Sequence, residues 1–182
     1  SIKKIFSIKN RPLYNPLIIH YSNRNDALND IYTDSRAMEL TKEFWPGPLT
    51  IVAKIKNKSI CKIALSSFGT VAVRVPSNKV FLNILNKLNI PLAAPSANRY
   101  GKISPTSAKD VYEELNGKVS IILDGGPSIL GLESTVIDLT NKDTKILRHG
   151  AIDRKAINQI TILKSQTSNI KQKIISPGLI LS

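Results

Sequence analysis

Short apolar segments alternate along this chain with longer segments of helical amphipathic pattern, and this alternation restricts the possible folds more than any other feature. Six segments have strand length and are rich in apolar or β-branched residues: 16–22, 49–55, 70–76, 90–96, 119–126 and 134–139. Helical patterns lie between and after them: 25–44 in two pieces, 78–89, 107–116 and 153–160. This order predicts an α/β protein, and strands that are apolar on both faces indicate a sheet covered by helices.

Local signals around residues 107–117 predict one helix with both of its ends. Ser107 followed three residues later by Asp110 has the spacing of a capping box, and Asn116-Gly117 is typical of a helix C-terminus. Beyond Leu163 the chain is polar, without a clean amphipathic period, and carries a Pro-Gly near its end. We therefore expect one domain over 1–163 and a linker-like C-terminal extension over 164–182.

The side-chain inventory makes metal and thiol chemistry poor candidates. One cysteine, Cys61, and two histidines, His20 and His149, cannot form a disulfide framework or a zinc site of four Cys and His ligands. Cys61 is expected to be a small core or near-surface residue, because no second Cys or nearby His is there to activate it. We assign no metal ligands from the sequence.

The net charge of the chain indicates which molecules it would bind more than which reaction it would catalyse. The 26 Lys and Arg residues against 13 Asp and Glu residues give a net charge of +13, which attracts polyanions such as nucleotides and RNA. A Lys-, Ile- and Asn-rich composition is equally typical of an AT-rich coding bias. No apolar run approaches the ~20 residues of a membrane span, and the first residues lack the apolar core of a signal peptide, so we predict a cytoplasmic protein with no membrane partner.

Small polar residues, prolines and glycines follow several of the expected strands. They occur at 94–98 (APSAN), 104–106 (SPT), 124–135 (DGGPSILGLEST) and 148–150 (RHG). The carboxyl ends of strands in open α/β sheets border the ligand crevice, and small residues let the backbone approach a phosphate. Each segment alone is equally consistent with an ordinary turn rich in Gly, Pro and Ser.

Cations lie next to these stiffened segments. Lys9 and Arg11 precede Pro12, and an extended chain there would point both side chains the same way, as a clamp for phosphates. Arg74 closes the strand TVAVRVP, where an interior Arg needs an anionic partner. The alternative for Arg74 is a strand-end Arg that reaches solvent.

Two other features are assigned to structure. FWPGPLT (44–50), with Phe44, Trp45 and two prolines, is expected to form a packed corner, since no aromatic partner for base stacking follows at a useful spacing. Asp124 is expected to cap a turn in preference to binding magnesium.

Seven segments together resemble a known family. They are KNRPLYNPLIIH, FWPGPLTIV, GTVAVRVP, PLAAPSANRYGKISPT, ILDGG, ESTVIDL and ILRHG, and they occur in the order and at roughly the spacing of the YrdC-type threonylcarbamoyl-AMP synthases. They include the Lys-x-Arg and Ser-x-Asn signatures of that family. The resemblance runs from the first residues to about Ala151, and SPG (176–178) is similar to the start of the linker in two-domain members.

The resemblance implies an open, twisted, mixed sheet with flanking helices and a basic concave face. It implies a nucleotidyltransferase that condenses L-threonine, bicarbonate or carbon dioxide, and ATP into threonylcarbamoyl-AMP and releases pyrophosphate, with magnesium accompanying the ATP. The product would pass to the machinery that modifies tRNA with threonylcarbamoyl-adenosine. Such chemistry needs positioned cations and rigid donors more than a pair of carboxylates.

The resemblance also implies roles for individual residues of this sequence. Catalytic roles would fall to Lys9 and Arg11. The ATP would be contacted by Arg11, Asn15, Thr70, Asn98, Thr106 and Arg148. The threonine would be contacted by His20, Arg74, Ser96 and Ser134.

The sequence departs from the family pattern at several points. Members usually begin with a further strand and a Pro-Thr-Glu-Thr-like loop, whereas this sequence starts in the helix that normally follows, so we expect an N-terminally incomplete catalytic domain. His149 replaces a usual Pro, and the sequence stops soon after SPG, without the second domain of longer members. The alternatives are a catalytically silent module that binds tRNA or double-stranded RNA, a truncated remnant of the synthase, and the related domain of carbamoyl-transferring maturation proteins.

Overall fold

The computed structural model describes residues 2–57, 60, 62–65 and 69–161. Cys61 and the extension expected over 164–182 lie outside the described residues. Six strands form one sheet: β1 Ile18–His20, β2 Leu49–Lys54, β3 Thr70–Arg74, β4 Leu92–Ala93, β5 Thr135–Asp138 and β6 Lys145–Arg148. The helices are α1 Ile2–Lys9, α2 Arg24–Asn29, α3 Ser35–Phe44, α4 Lys79–Leu88, α5 Ala108–Leu115 and α6 over 154–161, with a 3₁₀ turn at Lys62–Ala64.

The sheet is open and mixed, with the strand order β4-β1-β3-β2-β5-β6. β1 pairs in parallel with β3, and β2 in parallel with β5. The pairs β1–β4, β2–β3 and β5–β6 are antiparallel. The expected α/β fold with a mixed sheet and flanking helices is confirmed.

The mixed directions send the polar loops to two opposite rims of the sheet. β1 and β3 end side by side, with His20 opposite Arg74, at what we call the His20 rim. Because β4 is antiparallel to β1, the segment 94–98 leaves the sheet at the opposite rim, which we call the Lys9 rim. The polar loops thus leave the sheet at two rims and not at one, a difference that apolar patterning does not reveal because it does not fix strand direction.

Side chains that cap the helices explain where most of them begin. Asn23, Asp34 and Asn78 each accept a hydrogen bond from a backbone N–H of the first turn of α2, α3 and α4. The predicted capping box of Ser107 and Asp110 is present at α5. Gly117, just past that helix, has a φ of +72°, which a residue without Cβ adopts at little cost.

The core lies between the sheet and the helices that cover it. Val71 and Val73 of β3 and Ile51 of β2 are at most 1% exposed, and they cluster with Leu40 of α3 and Phe6 of α1. The corner at 44–50 is packed as expected, since Trp45 is buried and its Nε1 donates to the Leu49 carbonyl oxygen at 2.8 Å. In the described part of the chain, no helix combines the length and apolar character needed to cross a bilayer.

Two strand predictions need correction, and one strand was not predicted. The segment 119–126 is not a strand, and its Ile121 and Leu123 side chains are 76% and 63% exposed. An apolar segment becomes a strand only where a neighbour completes its hydrogen-bond ladder, and the described residues provide none there. The expected strand 90–96 shortens to Leu92–Ala93, while β6, which is short and charged at both ends, was missed.

Candidate functional site

Lys9 is the last residue of α1, and its ammonium group is turned into the protein. Lys9 is only 5% exposed. Its Nζ donates to the Ser96 carbonyl oxygen at 2.6 Å, to the Asn98 carbonyl oxygen, and to Asn98 Oδ1 at 3.4 Å. Burial, and then the charge of Arg11, lower the pKa of Lys9. All three ammonium protons therefore have acceptors in the Ser-x-Asn loop, which Lys9 fastens to α1.

Arg11 is held differently, by the loop that leads into β1. Its Nε donates to the Asn15 carbonyl oxygen at 3.0 Å, and its Nη2 donates to Asn15 Oδ1 at 2.7 Å and to the Pro16 carbonyl oxygen at 2.8 Å. Between Lys9 and Arg11, Asn10 has a left-handed φ of +50°. The chain is thus helical and then turned at this point, so the expected extended clamp with two parallel cations is not formed.

Three further predicted residues are held by contacts of their own. Asn98 is 4% exposed, and its Nδ2 donates to the carbonyl oxygen of Lys102. Thr70 begins β3 opposite Lys54, at the Lys9 rim. Thr106 lies at the start of α5, where its N–H and hydroxyl donate to Asp110 Oδ2 at 3.0 and 3.2 Å.

His20 and Arg74 are neighbours across the β1–β3 ladder at the opposite rim. His20 is 5% exposed, and its Nδ1 is the only buried side-chain polar atom of the described residues without a hydrogen-bond partner. Burial, and then the charge of Arg74, lower the pKa of His20 to about 4, so the imidazole is neutral at pH 7. A neutral imidazole whose buried Nδ1 has no partner, next to a cation, is a place where a polar ligand would remove an energetic cost.

Arg74 is half-buried without a carboxylate to neutralise it. Its Nε donates to the Gly47 carbonyl oxygen at 2.9 Å, and burial and then the charge of Arg148 lower its pKa. Among the described residues no Asp or Glu forms an ion pair with it. The corner at 44–50, assigned only to packing by its sequence, thus also orients a predicted site residue.

Arg148 and Ser134 are joined to each other at the end of β6 and the start of β5. Arg148 Nη2 donates to Ser134 Oγ at 2.9 Å and to the Ser134 carbonyl oxygen at 2.9 Å. Ser134 Oγ is also 2.8 Å from Thr50 Oγ1. Gly150 permits this arrangement, because a Cβ there would lie 2.3 Å from the carbonyl oxygen of Glu133.

Glu133 is a site residue that the sequence analysis did not assign. Its carboxylate pairs with Arg148 Nη1 and accepts a hydrogen bond from Ser104 Oγ at 2.8 Å. It thereby links the 94–107 loop to β6. Nothing in the local sequence identifies this link, because Ser104 and Glu133 are 29 residues apart.

Apart from Lys9, which lies with the first group, and Thr106 at the start of α5, the predicted site residues fall into two groups. Arg11, Asn15, Thr70, Ser96 and Asn98 lie at the Lys9 rim. The other rim contains His20, Arg74, Ser134 and Arg148. The strand β3 has 5 residues and connects the two rims. Its first and last Cα atoms are four steps of ~3.3 Å apart, which separates the rims by about 13 Å.

The two groups of residues interact electrostatically through Arg148. The charge of Arg148 contributes to lowering the pKa of both Arg11 and Arg74, after burial as the main cause. Arg148 therefore repels both arginines, the Glu133 carboxylate offsets this at Arg11, and an anionic ligand near Arg74 would relieve the repulsion there. The arrangement suits a ligand that carries negative charge at more than one point.

Carboxylates that could hold a metal already have protein partners. Asp124 Oδ1 accepts the N–H of Gly126 at 2.9 Å, which confirms its expected role in a turn, and Glu133 is paired with Arg148. Among the described residues, no three His, Cys, Asp or Glu side chains are grouped as metal ligands.

Comparison with protein families identifies one domain type. The Sua5/YciO/YrdC family model, described as telomere recombination, matches residues 1–150. Threonylcarbamoyl-AMP synthase of Pyrococcus abyssi (strain GE5 / Orsay) is 41% identical over 162 residues, which are 88% of this chain and 47% of that protein. Threonylcarbamoyl-AMP synthase of Bacillus subtilis (strain 168) is 36% identical over 184 residues, covering 98% of this chain and 53% of that protein.

Solved structures give the same result. Sua5 of P. abyssi in complex with L-threonine superposes with a TM-score of 0.83 at 41% identity, covering 87% of this chain and 47% of that one. YciO of E. coli shares the fold, with a TM-score of 0.75 at 24% identity over 86% of this chain and 76% of that one. The chain spans about half the length of the synthases from P. abyssi and B. subtilis, 47% and 53%.

Proposed function

This chain belongs to the Sua5/YciO/YrdC domain family, and we propose that it forms threonylcarbamoyl-AMP from L-threonine, bicarbonate or carbon dioxide, and ATP, releasing pyrophosphate. The relatives named above carry the name of this synthase, and the P. abyssi relative is solved with L-threonine. The proposal makes the chain a nucleotidyltransferase.

The paired His20 and Arg74 are the observation that carries the proposal. Arg74 is a half-buried cation whose Nε donates to the neutral Gly47 carbonyl oxygen, and His20 Nδ1 has no partner among the described residues. The carboxylate of threonine would neutralise Arg74, and a polar group of the same molecule would satisfy His20. With Ser134 and Thr50 next to Arg148, this rim supplies hydroxyl groups as well.

The nucleotide would lie toward the Lys9 rim. Arg11 retains Nη1 as a donor with no acceptor among the described residues, so it is the cation of that rim we assign to the phosphates. Lys9 already donates to three acceptors, so we infer that it acts by holding Ser96 and Asn98 in place. Arg148, close to both groups, would be shared by the two substrates.

The chemistry follows from bringing two anions together. The threonine amine adds to carbon dioxide with loss of a proton, and an oxygen of the resulting carbamate attacks the α-phosphorus of ATP. The bond from that phosphorus to the bridging oxygen breaks, and pyrophosphate leaves. Arg11, Arg74 and Arg148 would bind and orient the reactants and oppose the charge that spreads over the phosphate oxygens.

Magnesium would accompany ATP through phosphate and water oxygens, since the described carboxylates form no site for it. The product would then go to the machinery that transfers the threonylcarbamoyl group to tRNA. A cytoplasmic location remains part of this proposal, because ATP and tRNA are found there.

Substitution of Arg74 tests the proposal. We expect the 182-residue chain to release pyrophosphate from ATP and bicarbonate only when L-threonine is present. Arg74→Ala should raise the Kd for L-threonine at least tenfold, because the carboxylate loses a cation in a half-buried site. Calorimetry gives the Kd, and a coupled pyrophosphate assay gives the rate.

Arg154→Ala is the matched control, because Arg154 is an exposed arginine of α6 outside the site. It should leave the threonine affinity and the rate unchanged. Release of pyrophosphate that does not depend on threonine, or equal affinity in the Arg74→Ala and parent proteins, would contradict the proposal.

RNA binding is the second candidate, and the net charge of +13 is the observation that favours it. Binding of this kind would use exposed lysines over the surface and would not need the His20–Arg74 pair. The two candidates therefore differ in their response to the same variant.

A further inference from the structure

The loop that follows the Ser-x-Asn residues is fixed from both sides. Lys9 holds it from α1 through the carbonyl oxygens of Ser96 and Asn98. Glu114 of α5 holds it from the other side, because its Oε1 accepts Arg99 Nε at 2.8 Å and the Arg99 N–H at 3.2 Å. The residue that follows Arg99 is thus presented by a rigid segment of chain.

That residue is Tyr100, whose backbone and ring both face the Lys-x-Arg segment. Its N–H donates to the Lys9 carbonyl oxygen at 2.7 Å. Its ring centroid lies 5.9 Å from Cζ of Arg11, within the range of a cation–π contact. The phenol side chain is 46% exposed, so it contributes little to the core.

The hydrogen bonds of Arg11 hold its guanidinium from one segment of the chain only. Its three hydrogen bonds run through Nε and Nη2 to Asn15 and Pro16, which hold one side of the planar guanidinium. All three acceptors belong to residues 15 and 16, whereas the Tyr100 ring is a contact from a separate segment of the chain and lies outside this hydrogen-bond set. Nη1, the nitrogen left for a ligand, moves most when the plane tilts.

We propose that Tyr100 is a positioning residue for Arg11, whose ring fixes the guanidinium plane so that Nη1 is presented to an anionic group of the nucleotide. This inference rests on the proposed function for the ligand, but not for the contact between the two side chains. An aromatic ring is required at position 100, and the hydroxyl group is not.

Arginine side-chain NMR tests the contact without any ligand. In the full chain, exchange of the Arg11 Nε–H proton with solvent should become at least threefold faster in Tyr100→Leu and stay within twofold of the parent in Tyr100→Phe. Tyr32→Leu is the matched control, since Tyr32 is a 65% exposed tyrosine elsewhere in the fold, and it should change nothing. Equal exchange in the parent and Tyr100→Leu would overturn the inference.

Calorimetry with ATP tests the consequence. The Kd for ATP should rise about three- to fivefold in Tyr100→Leu, the loss expected for an exposed cation–π contact, and Tyr100→Phe should restore it. In an Arg11→Ala background, Tyr100→Leu should have no further effect. Unchanged ATP affinity in Tyr100→Leu, with the parent binding ATP, would overturn the positioning role even if exchange were faster.

The two measurements separate this inference from the proposed function. A parent chain that does not bind ATP would contradict the proposed nucleotide site, and the NMR comparison alone would then decide whether Tyr100 holds Arg11. Thermal unfolding of Tyr100→Leu should match that of Tyr32→Leu, which excludes a general loss of stability as the cause.

Discussion

The cations of the candidate site are held mainly by neutral backbone oxygens. Lys9 donates to the carbonyl oxygens of Ser96 and Asn98, Arg11 to those of Asn15 and Pro16, and Arg74 to that of Gly47. A carbonyl oxygen satisfies a donor without cancelling its charge, whereas a carboxylate would do both. The site therefore remains positively charged while its side chains are fixed, which is the condition that an anionic substrate needs.

The lowered pKa of His20 predicts that the stability of the protein depends on pH. Its pKa is lowered from 6.5 to about 4 by burial and then by Arg74, so between those values the unfolded chain binds more protons than the folded one. Stability therefore rises with pH through this window, and on going down from pH 7 to pH 4 the His20 contribution is a loss of about 3 kcal/mol. Urea unfolding at a series of pH values measures it.

His20→Gln removes the titrating group and should flatten the curve between pH 4 and 6.5 by about that 3 kcal/mol. Asn158→Gln is the control, since Asn158 is exposed and does not titrate, and it should keep the parent curve. Parallel curves for His20→Gln and the parent would show that the pKa of His20 is the same in the folded and the unfolded chain, which would contradict the prediction.

Individual elements are joined by side chains that reach loop carbonyl oxygens far away in sequence. Arg36, in the first turn of α3, donates to the carbonyl oxygens of Lys142 and Asn141, both at 2.6 Å, and to Asp34 Oδ2. Its side chain is only 15% exposed. A helix of 10 residues is thereby tied to the connection between β5 and β6, which fixes the strand that ends at Arg148.

Removal of this tie should destabilise the fold. Arg36→Ala is expected to lower the free energy of unfolding by about 2 kcal/mol, because several charge-assisted hydrogen bonds are lost from a mostly buried side chain. Urea denaturation of Arg36→Ala beside the exposed Arg154→Ala, expected within about 0.5 kcal/mol of the parent, measures the difference. Equal midpoints for the two variants would mean that α3 is held by its apolar face alone.

Over the whole molecule, the 26 basic residues far exceed the number that the candidate site uses. The site accounts for Lys9, Arg11, Arg74 and Arg148, and the others give the chain a field that attracts any polyanion. The positive charge of the surface thus predicts association with RNA, but it does not predict which reaction the protein catalyses.

Salt dependence tests this association. If the surface binds tRNA, log Kobs should fall linearly with log[salt], with a slope that corresponds to several phosphates, because counterions are released on binding. Filter binding between about 50 and 200 mM salt measures the slope. Arg74→Ala should leave it unchanged, and a nearly flat slope would contradict RNA binding.

The sequence determined the parts of this protein that depend on local physics. The helices at 24–29, 35–44, 79–88 and 108–115 were predictable because an amphipathic period and a capping side chain lie within one segment. The family resemblance was readable for a similar reason, since each motif is a short contiguous run.

Tertiary structure decided what depends on which segments meet. It placed 94–98 and 148–150 at opposite rims, because strand direction comes from pairing, and it left 119–126 outside the sheet for want of a ladder partner. It also determined the hydrogen-bond partners of the cations. Lys9 donates to a loop 87 residues away in the sequence, and the Lys-x-Arg motif gives no information about that partner. Strand pairing and side-chain burial depend on contacts between segments that are far apart in the sequence. Only the folded molecule therefore shows which cation is still accessible to a substrate.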